Sequence, residues 1–468
     1  MNHTNNAWCR SDDAWAMIMA TVLLATTWWC TVPSPISESQ AKPYTNSIAP
    51  WLTTPGAWSL NPIEAFSNGP EDPGPHRALA VLTTILGCVA VFSCALRGLG
   101  VPFRAAVPAV LGIAALATTA WLISRQVIIK GFQLEYVLWA FVGGLVISNI
   151  FQVPEWLKPA LRGELYIKTG LVLMGAGLLF GTLMKLGPPG ILVSWITTPV
   201  VLISTYLFGQ RYLKIKSRSL NLVLSADMSV CGVSAAVATA AACRAKKEEL
   251  SIAIGISLAF TIVMMFTLPA VINAVGLDQV VGGAWIGGTV DSTGAVVAAG
   301  ELVGPVARDV AASVKLIQNV LIGVISLSVA AWWARTDGIS RSTNSSISLG
   351  SMAGEIWHRM PKFIFGFIGA SAVFTYLAST GPEGQDVAVE TMVKGPVKMM
   401  RSWCFCLGFV SIGLETNVRQ LADAMGSWKP VVLYICGQAL NLLLTFTMAW
   451  LAFRVVFPDV AAKIASGG

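Results

Sequence analysis

Long apolar runs alternate with short polar connections along nearly the whole chain. A bilayer core about 30 Å thick needs roughly 20 consecutive apolar residues for one helical crossing. Runs of about that length lie at 14–32, 78–96, 105–124, 134–152, 165–184, 190–209, 250–275, 311–333, 361–379, 397–415 and 430–454. The pattern predicts an all-α fold, a polytopic transmembrane helical bundle of about 11–13 helices.

The first apolar run follows Asp12 and Asp13, where a secretory signal peptide would carry basic residues. We therefore expect an anchor helix, followed by an extended, proline-rich external loop, within residues 1–76. Residues 77–133 predict peripheral transmembrane helices, and residues 134–468 predict a transporter core.

Two further stretches differ from the ordinary apolar runs. Residues 220–243 and 282–300 are long enough to cross a bilayer, but both are rich in small and polar residues. The orientation of the helices after residue 300 is the same in two cases. Either both stretches cross the membrane, or both enter and return, one from each face. Either way, polar sequence is placed at membrane depth, and the two stretches predict two discontinuous helices.

Each of these stretches contains one acid, Asp227 in the first and Asp291 in the second. An Asp at the bilayer centre costs roughly 2.5–3.5 kcal/mol on insertion scales, which favours a function for such a residue. In transporters, interrupted helices offer N-termini that attract anions and free carbonyl groups that hold cations. The alternative is that small-residue runs serve only close helix packing.

The candidate site combines groups for an ion with groups for a substrate. We predict that Asp227, Asp291 and Asn319 bind the coupling ion. Lys315 is either a cation facing the cavity or a lysine that extends to the membrane interface. The residues predicted to bind the substrate are Ser229, Cys231, Gly232, Ser234, Gly288, Thr289, Thr293 and Lys315.

Composition narrows the partners of the chain. Charged residues make up 12% of it, about half the share of about 25% found in soluble domains. The net charge of +7 lies in short clusters between apolar runs, so we expect a lipid bilayer and no nucleic acid as partner. The three histidines are scattered along the chain, and the sequence has no phosphate-binding loop. We therefore expect no metal, no cofactor and no ATP drive.

An enzyme is not expected, because a nucleophile and a base should converge at its active site. Cys231 and Asp227 form the one such pair near the polar stretches, and no histidine lies nearby. A faint echo between 174–190 and 411–430, segments that run in opposite directions on this topology, predicts inverted repeats.

Three motifs resemble those of the YeiH-like family of sulfate exporters. The run ADMSVCGVSAAVATAAACRAKKEEL (226–250) resembles the stretch around its S-I-C-G-A-S-A motif, and GGTVDSTGAVVAAG (287–300) is similar to G-T-S-I-H-D-T-A-Q-V-V-A-A-G. VKLIQN (314–319) is similar to the V-K-L-T-R run that follows. Similarity extends from about residue 135 through 454, including a G-L-E motif at 413–415. The chain departs from the family pattern at Asp291 (usually His), Ser292 (Asp), Ala295 (Gln) and Gln318 (Arg).

The resemblance implies a many-helix transporter related to the bile acid and arsenite carriers, with inverted repeats and crossed, broken helices, in the bacterial inner (plasma) membrane. We expect a secondary active transporter that exports a small anion, either sulfate-like or a small organic or sulfonated acid. A Na⁺ or H⁺ gradient would drive it. The sequence leaves open whether the chain forms a homo-oligomer. The alternatives are a passive anion channel and a sodium-coupled organic anion symporter.

Overall fold

The computed structural model of the chain describes residues 11–33, 44–67, 76–131, 135–178, 180–336, 361–380, 385–417 and 428–465. Seven of the described helices are long and apolar enough to span a membrane. The structure confirms the predicted fold class, an all-α polytopic membrane bundle.

The elements are given in chain order. Up to residue 178 they are α1 (Asp12–Trp29), β1 (Thr31–Pro33), β2 (Tyr44–Asn46), α2 (Arg77–Gly98), α3 (Phe103–Ser124), α4 (Val127–Gly131), α5 (Tyr136–Val146) and α6 (Gly163–Gly177). From 180 to 336 they are α7 (Phe180–Arg211), α8 (Arg218–Asp227), α9 (Val233–Cys243), α10 (Lys247–Val275), α11 (Gln279–Thr289), α12 (Thr293–Val303), α13 (Pro305–Asn319) and α14 (Leu321–Thr336). The rest are α15 (Phe363–Thr380), α16 (Gln385–Met392), α17 (Lys398–Glu415), α18 (Trp428–Trp450) and α19 (Pro458–Ala465).

The chain divides into two compact units. The first unit comprises residues 1–181 and 362–417, and the second comprises residues 182–361 and 418–468. This division differs from the predicted one, because α3 packs directly on α5 and α17 within the first unit. Residues 77–133 are therefore part of that unit, and the predicted core of 134–468 is shared between both.

Close helix contacts hold the first unit together. A Cβ atom added to Gly144 of α5 would lie 2.5 Å from the carbonyl oxygen of Val410 in α17, and one on Gly413 would lie 2.3 Å from that of Phe141. Because only glycine allows backbones to approach this closely, these two positions set the spacing of α5 and α17.

The described part of the proline-rich segment is folded against helix ends instead of extended. Strands β1 and β2 pair antiparallel. The indole N–H of Trp58 donates to the carbonyl of Leu122 at 2.7 Å, and that of Trp403 donates to the carbonyl of Thr53 at 3.1 Å. The first bond satisfies a carbonyl at the end of α3, and the second attaches the segment to α17.

In the second unit, each interrupted stretch enters and returns. We call α8 with α9 the first hairpin, and α11 with α12 the second hairpin. Ser217, before the first hairpin, and Lys246, after it, both hydrogen-bond to Glu249 at the start of α10. Likewise Gln279, which opens the second hairpin, accepts the N–H of Val306 just beyond its end, at 3.1 Å.

The two hairpins enter from opposite ends of the unit. Helix α13 starts at the base of the second hairpin, and its continuation α14 brings Trp332 and Trp333 to Arg218 at the base of the first, with ring centroids 5.7 and 5.5 Å from the guanidinium carbon. Of the two arrangements left open by the sequence, the structure thus has paired re-entrant segments.

An inverted arrangement follows from this geometry. Each hairpin is followed by a long helical segment, in 218–275 and again, over an equal length and in the opposite direction, in 279–336. The echo predicted between 174–190 and 411–430 does not coincide with these two segments. Its residues 418–427 lie outside the described residues.

Candidate functional site

The tip of each hairpin is a break in helical structure. In the first hairpin α8 ends at Asp227, and Gly232, with a φ of +60°, turns the chain into α9. In the second, α11 ends at Thr289 and α12 begins after Ser292. Each break releases backbone carbonyl groups, which in a membrane must find partners within the protein.

Two amide side chains bind the released carbonyls of both tips at once. The Gln318 amide N–H groups of α13 donate to the carbonyls of Ser229 (3.1 Å) and Gly288 (3.3 Å). The Asn441 amide of α18 donates to the carbonyls of Met228 (3.2 Å) and Thr289 (3.5 Å). The two hairpin tips therefore meet, and residues from two long helices fix their separation.

Lys315 binds the same region. Its side chain is completely buried, so it does not extend to the membrane interface. The ammonium donates to the carbonyl of Val230 in the first tip and to the side-chain oxygen of Gln318 at 2.7 Å. Lys315 thus neutralises the negative end of α8 and orients the amide that joins the tips.

The two acids have different surroundings, although both are 0–1% exposed. One carboxylate oxygen of Asp291 accepts hydrogen bonds from the hydroxyl of Tyr434 and the amide of Gln438, both at 2.6 Å. Neither carboxylate oxygen of Asp227 accepts a hydrogen bond of standard geometry, although the Ser257 hydroxyl of α10 lies close enough to interact with it. Among the described residues, no ion pair joins Lys315 to either acid, although the three charges interact electrostatically.

The tips lie at membrane depth. Gln318 and Asn441 are near the middle of the candidate spans Pro305–Trp333 and Trp428–Val456, and Thr198, which accepts from Gln318 at 3.1 Å, is near the middle of Leu183–Arg211. A polar centre at this depth is costly unless its groups are paired or serve a ligand.

One edge of the centre is accessible. Ser234 is exposed, and Ser292 and Thr293 are partly exposed, while the tips behind them are buried. The N-cap residues Gly232 and Ser292 provide no side-chain cap to α9 and α12, although the Ala235 N–H in the first turn of α9 faces the Cys231 sulfur. Since the uncapped N–H groups at a helix N-terminus attract negative charge, this edge can receive an anion.

The structure brings the predicted site residues together in the two tips and the adjoining α13. Asp227, Ser229, Cys231, Gly232, Gly288, Thr289, Lys315 and Asn319 are buried there, and Asp291 lies among them. Ser234 and Thr293 are at the accessible edge, where Asn319 donates to the Thr293 hydroxyl at 3.2 Å. A Cβ on Gly288 would come within 2.6 Å of Thr445, so this glycine also serves the packing that the alternative interpretation expected.

The sequence analysis missed the contribution of α18, whose run it treated as an ordinary apolar span. Tyr434, Gln438, Asn441 and Thr445 recur every three or four residues, so they share one helix face. That spacing of hydrogen-bonding side chains inside an apolar run was the available signal. The described residues contain no cluster of three or more His, Cys, Asp or Glu side chains that could hold a metal ion.

Comparison with known proteins places the chain among membrane proteins. The family described as Conserved hypothetical protein 698 matches residues 108–434. A UPF0324 membrane protein of Rhodopirellula baltica is 49% identical over 429 residues, which cover 91% of this chain and 76% of that protein. A UPF0324 membrane protein of Nitratidesulfovibrio vulgaris is 49% identical over 76% of this chain, but the match covers only 60% of the relative.

A more distant UPF0324 membrane protein, from Nitrosomonas europaea, is 26% identical over 98% of this chain and 100% of its own length. No solved structure matches the chain. The relatives and the seven apolar helices together establish an integral, multi-pass membrane protein.

Proposed function

The chain belongs to the family described as Conserved hypothetical protein 698, and from that premise we propose that it is a secondary active transporter of a small anion. The printed names of its relatives say only that they are membrane proteins. The activity therefore rests on the site, and above all on the meeting of two re-entrant hairpin tips near the middle of the membrane spans.

Re-entrant backbone supports transport because of what it costs. Non-helical backbone at membrane depth is tolerated only where protein buries it or where it lines a water-filled cavity. A protein that needed only an anchor could use uninterrupted helices. Two opposed hairpins instead place helix N-termini and carbonyl ends at one point, the arrangement with which transporters hold an ion and a substrate.

The accessible edge of the site is the proposed substrate position. The uncapped first turns of α9 and α12, with the hydroxyl groups of Ser234 and Thr293, would donate hydrogen bonds to an anion. Lys315 lies behind the tips and would act through its positive field, not by direct contact. This chemistry suits sulfate or a small organic or sulfonated acid, and export across a bacterial inner membrane is the proposed direction.

Asp227 and Asp291 support coupling to an ion. With Lys315 they leave one unbalanced negative charge in a buried centre. Such a charge is unfavourable in a low-dielectric interior, so binding a proton or a monovalent cation is favourable there. Because a proton or sodium gradient across a bacterial inner membrane is directed inward, export requires exchange, with the ion and the anion bound in alternate steps of the cycle.

The test is transport by the purified full chain in proteoliposomes. We expect accumulation of radiolabelled sulfate, a small sulfonate or a small carboxylate against its gradient when a proton or sodium gradient is imposed. Thr293→Val removes a hydroxyl at the accessible edge and should lower uptake about tenfold, the equivalent of about 1.4 kcal/mol.

Thr267→Val is the matched control, since the Thr267 hydroxyl is exposed on α10 and bonds only within its own helix. It should transport at the rate of the unmodified protein. No accumulation of any of the three anions under either gradient would overturn the proposal. Flux that follows only the anion's own gradient would instead identify a passive channel.

A further inference from the structure

The released carbonyl groups at the hairpin tips are the usual ligands for a coupling cation such as sodium. In this chain they accept hydrogen bonds from side-chain nitrogen atoms instead. The carbonyls so occupied are those of Met228, Ser229, Val230, Gly288 and Thr289. The donors are two amides, Gln318 and Asn441, and one cation, Lys315.

Lys315 places a positive charge on one of the carbonyl groups that could otherwise bind sodium. Its ammonium is completely buried and touches the Val230 carbonyl at the end of the interrupted α8. A second cation at the same carbonyls would be repelled by the ammonium, and the oxygen atoms it needs already have partners. The tips are therefore poorly suited to sodium while Lys315 stays in place.

Asp227 differs from the carbonyls, because neither of its oxygen atoms accepts a hydrogen bond of standard geometry from a side-chain nitrogen or hydroxyl. The titratable groups that face it are Asp291, Lys315, Cys231 and Tyr434, and the Ser257 hydroxyl of α10 lies beside it. Asp291 is held by Tyr434 and Gln438, so Asp227 is the acid whose charge is not satisfied. A proton needs one oxygen atom, whereas a metal ion needs several at one point.

We propose that Lys315 is a resident cation that replaces sodium at the hairpin tips, and that Asp227 exchanges a proton as the coupling ion. This inference rests on the transport function proposed above and names its driving ion. The proton attaches to a carboxylate oxygen of Asp227 and leaves from the same atom, and no other bond changes.

Thermal unfolding of the detergent-purified full chain tests the inference without measuring transport. At constant ionic strength, replacing N-methylglucamine by sodium should leave the melting temperature of the unmodified protein unchanged. Raising the pH from 6 to 8 should lower its melting temperature relative to Asp227→Asn, because a proton held by the native state is lost. Asp459→Asn, an exposed carboxylate on α19, should keep the pH response of the unmodified protein.

An infrared measurement covers the case in which Asp227→Asn does not fold. The unmodified protein should show the carbonyl-stretching band of a protonated carboxylic acid that disappears as the pH rises. Stabilisation of the protein by sodium would overturn the inference. So would a pH response and an infrared band that are the same in Asp227→Asn as in the unmodified protein. Either result leaves the transport assay untouched, and a failed transport assay leaves proton binding at Asp227 measurable.

Discussion

The two hairpins have the same design but different acids. Both consist of short half-helices, both return to the end from which they enter, and both carry an aspartate at or next to the break. In the second hairpin Asp291 is held by Tyr434 and Gln438, whereas in the first hairpin the Asp227 carboxylate accepts no hydrogen bond of standard geometry and has the Ser257 hydroxyl beside it.

This difference indicates that Asp291 has a structural role, whereas Asp227 is free to bind a proton. The hydrogen-bond donors to Asp291 come from α18, and no described residue of α18 donates such a bond to Asp227. A buried carboxylate with two short hydrogen bonds is stabilised as an anion, while one with none is stable only when it is neutralised. The same residue type at equivalent places thus serves two different purposes.

The largest expected effect comes from Lys315, a buried cation that interacts electrostatically with both acids. Lys315→Met would leave both carboxylates without compensation and the Val230 carbonyl without its donor. We expect a loss of about 3–5 kcal/mol of stability, the usual cost of leaving a buried charge uncompensated, measured by thermal unfolding in detergent. Lys185→Met, an exposed position on α7, should change stability by less than about 0.5 kcal/mol. Equal melting temperatures for the two variants would show that Lys315 does not balance the acids.

The next largest effect is expected at Asp291, the acid held by Tyr434 and Gln438. Asp291→Asn removes the charge that strengthens the hydrogen bonds from Tyr434 and Gln438, and should cost about 1.5–3 kcal/mol in the same assay. Tyr434→Phe should reproduce part of that loss, because it removes one of the two donors. If Asp291→Asn proves no more destabilising than Asp227→Asn, the contrast between the two hairpins is wrong.

A third effect concerns how the second hairpin is seated on α13. A Cβ on Gly287 would lie 2.5 Å from the carbonyl oxygen of Ala311, so Gly287→Ala should force the helices apart at a cost of about 1–3 kcal/mol. Gly187→Ala, where the added atom meets open space, is the control and should be neutral or slightly stabilising. Similar stability of both variants would mean that the hairpin position tolerates movement.

The smallest effect on stability is expected at Asp227. On the proposal that Asp227 is protonated at pH 6, Asp227→Asn exchanges one neutral group for another, so stability at this pH should change by less than about 1 kcal/mol. Coupled transport should nevertheless be lost, because the amide cannot exchange a proton. A large loss of stability at pH 6 would show that Asp227, like Asp291, is a structural residue.

Much of the site was predictable from the two unusual stretches. Asp227 and Asp291 stood out because ionisable residues are costly at membrane depth, and Lys315 because it lies inside an apolar run. The residues of α18 were missed because Gln438 and Asn441 are uncharged and sit in an otherwise apolar run. Their three- and four-residue spacing is informative only once it is known that another polar element faces them.

The sequence by itself determined that the chain spans a membrane as helices, since apolar runs of bilayer length leave the backbone no other way to satisfy its hydrogen bonds. It also determined where polar groups would interrupt that pattern. Only the tertiary structure decided that both interruptions return to the end from which they enter, because the sequence is compatible with either topology. It alone decided which acid finds partners, because those partners lie on α18, more than a hundred residues away along the chain.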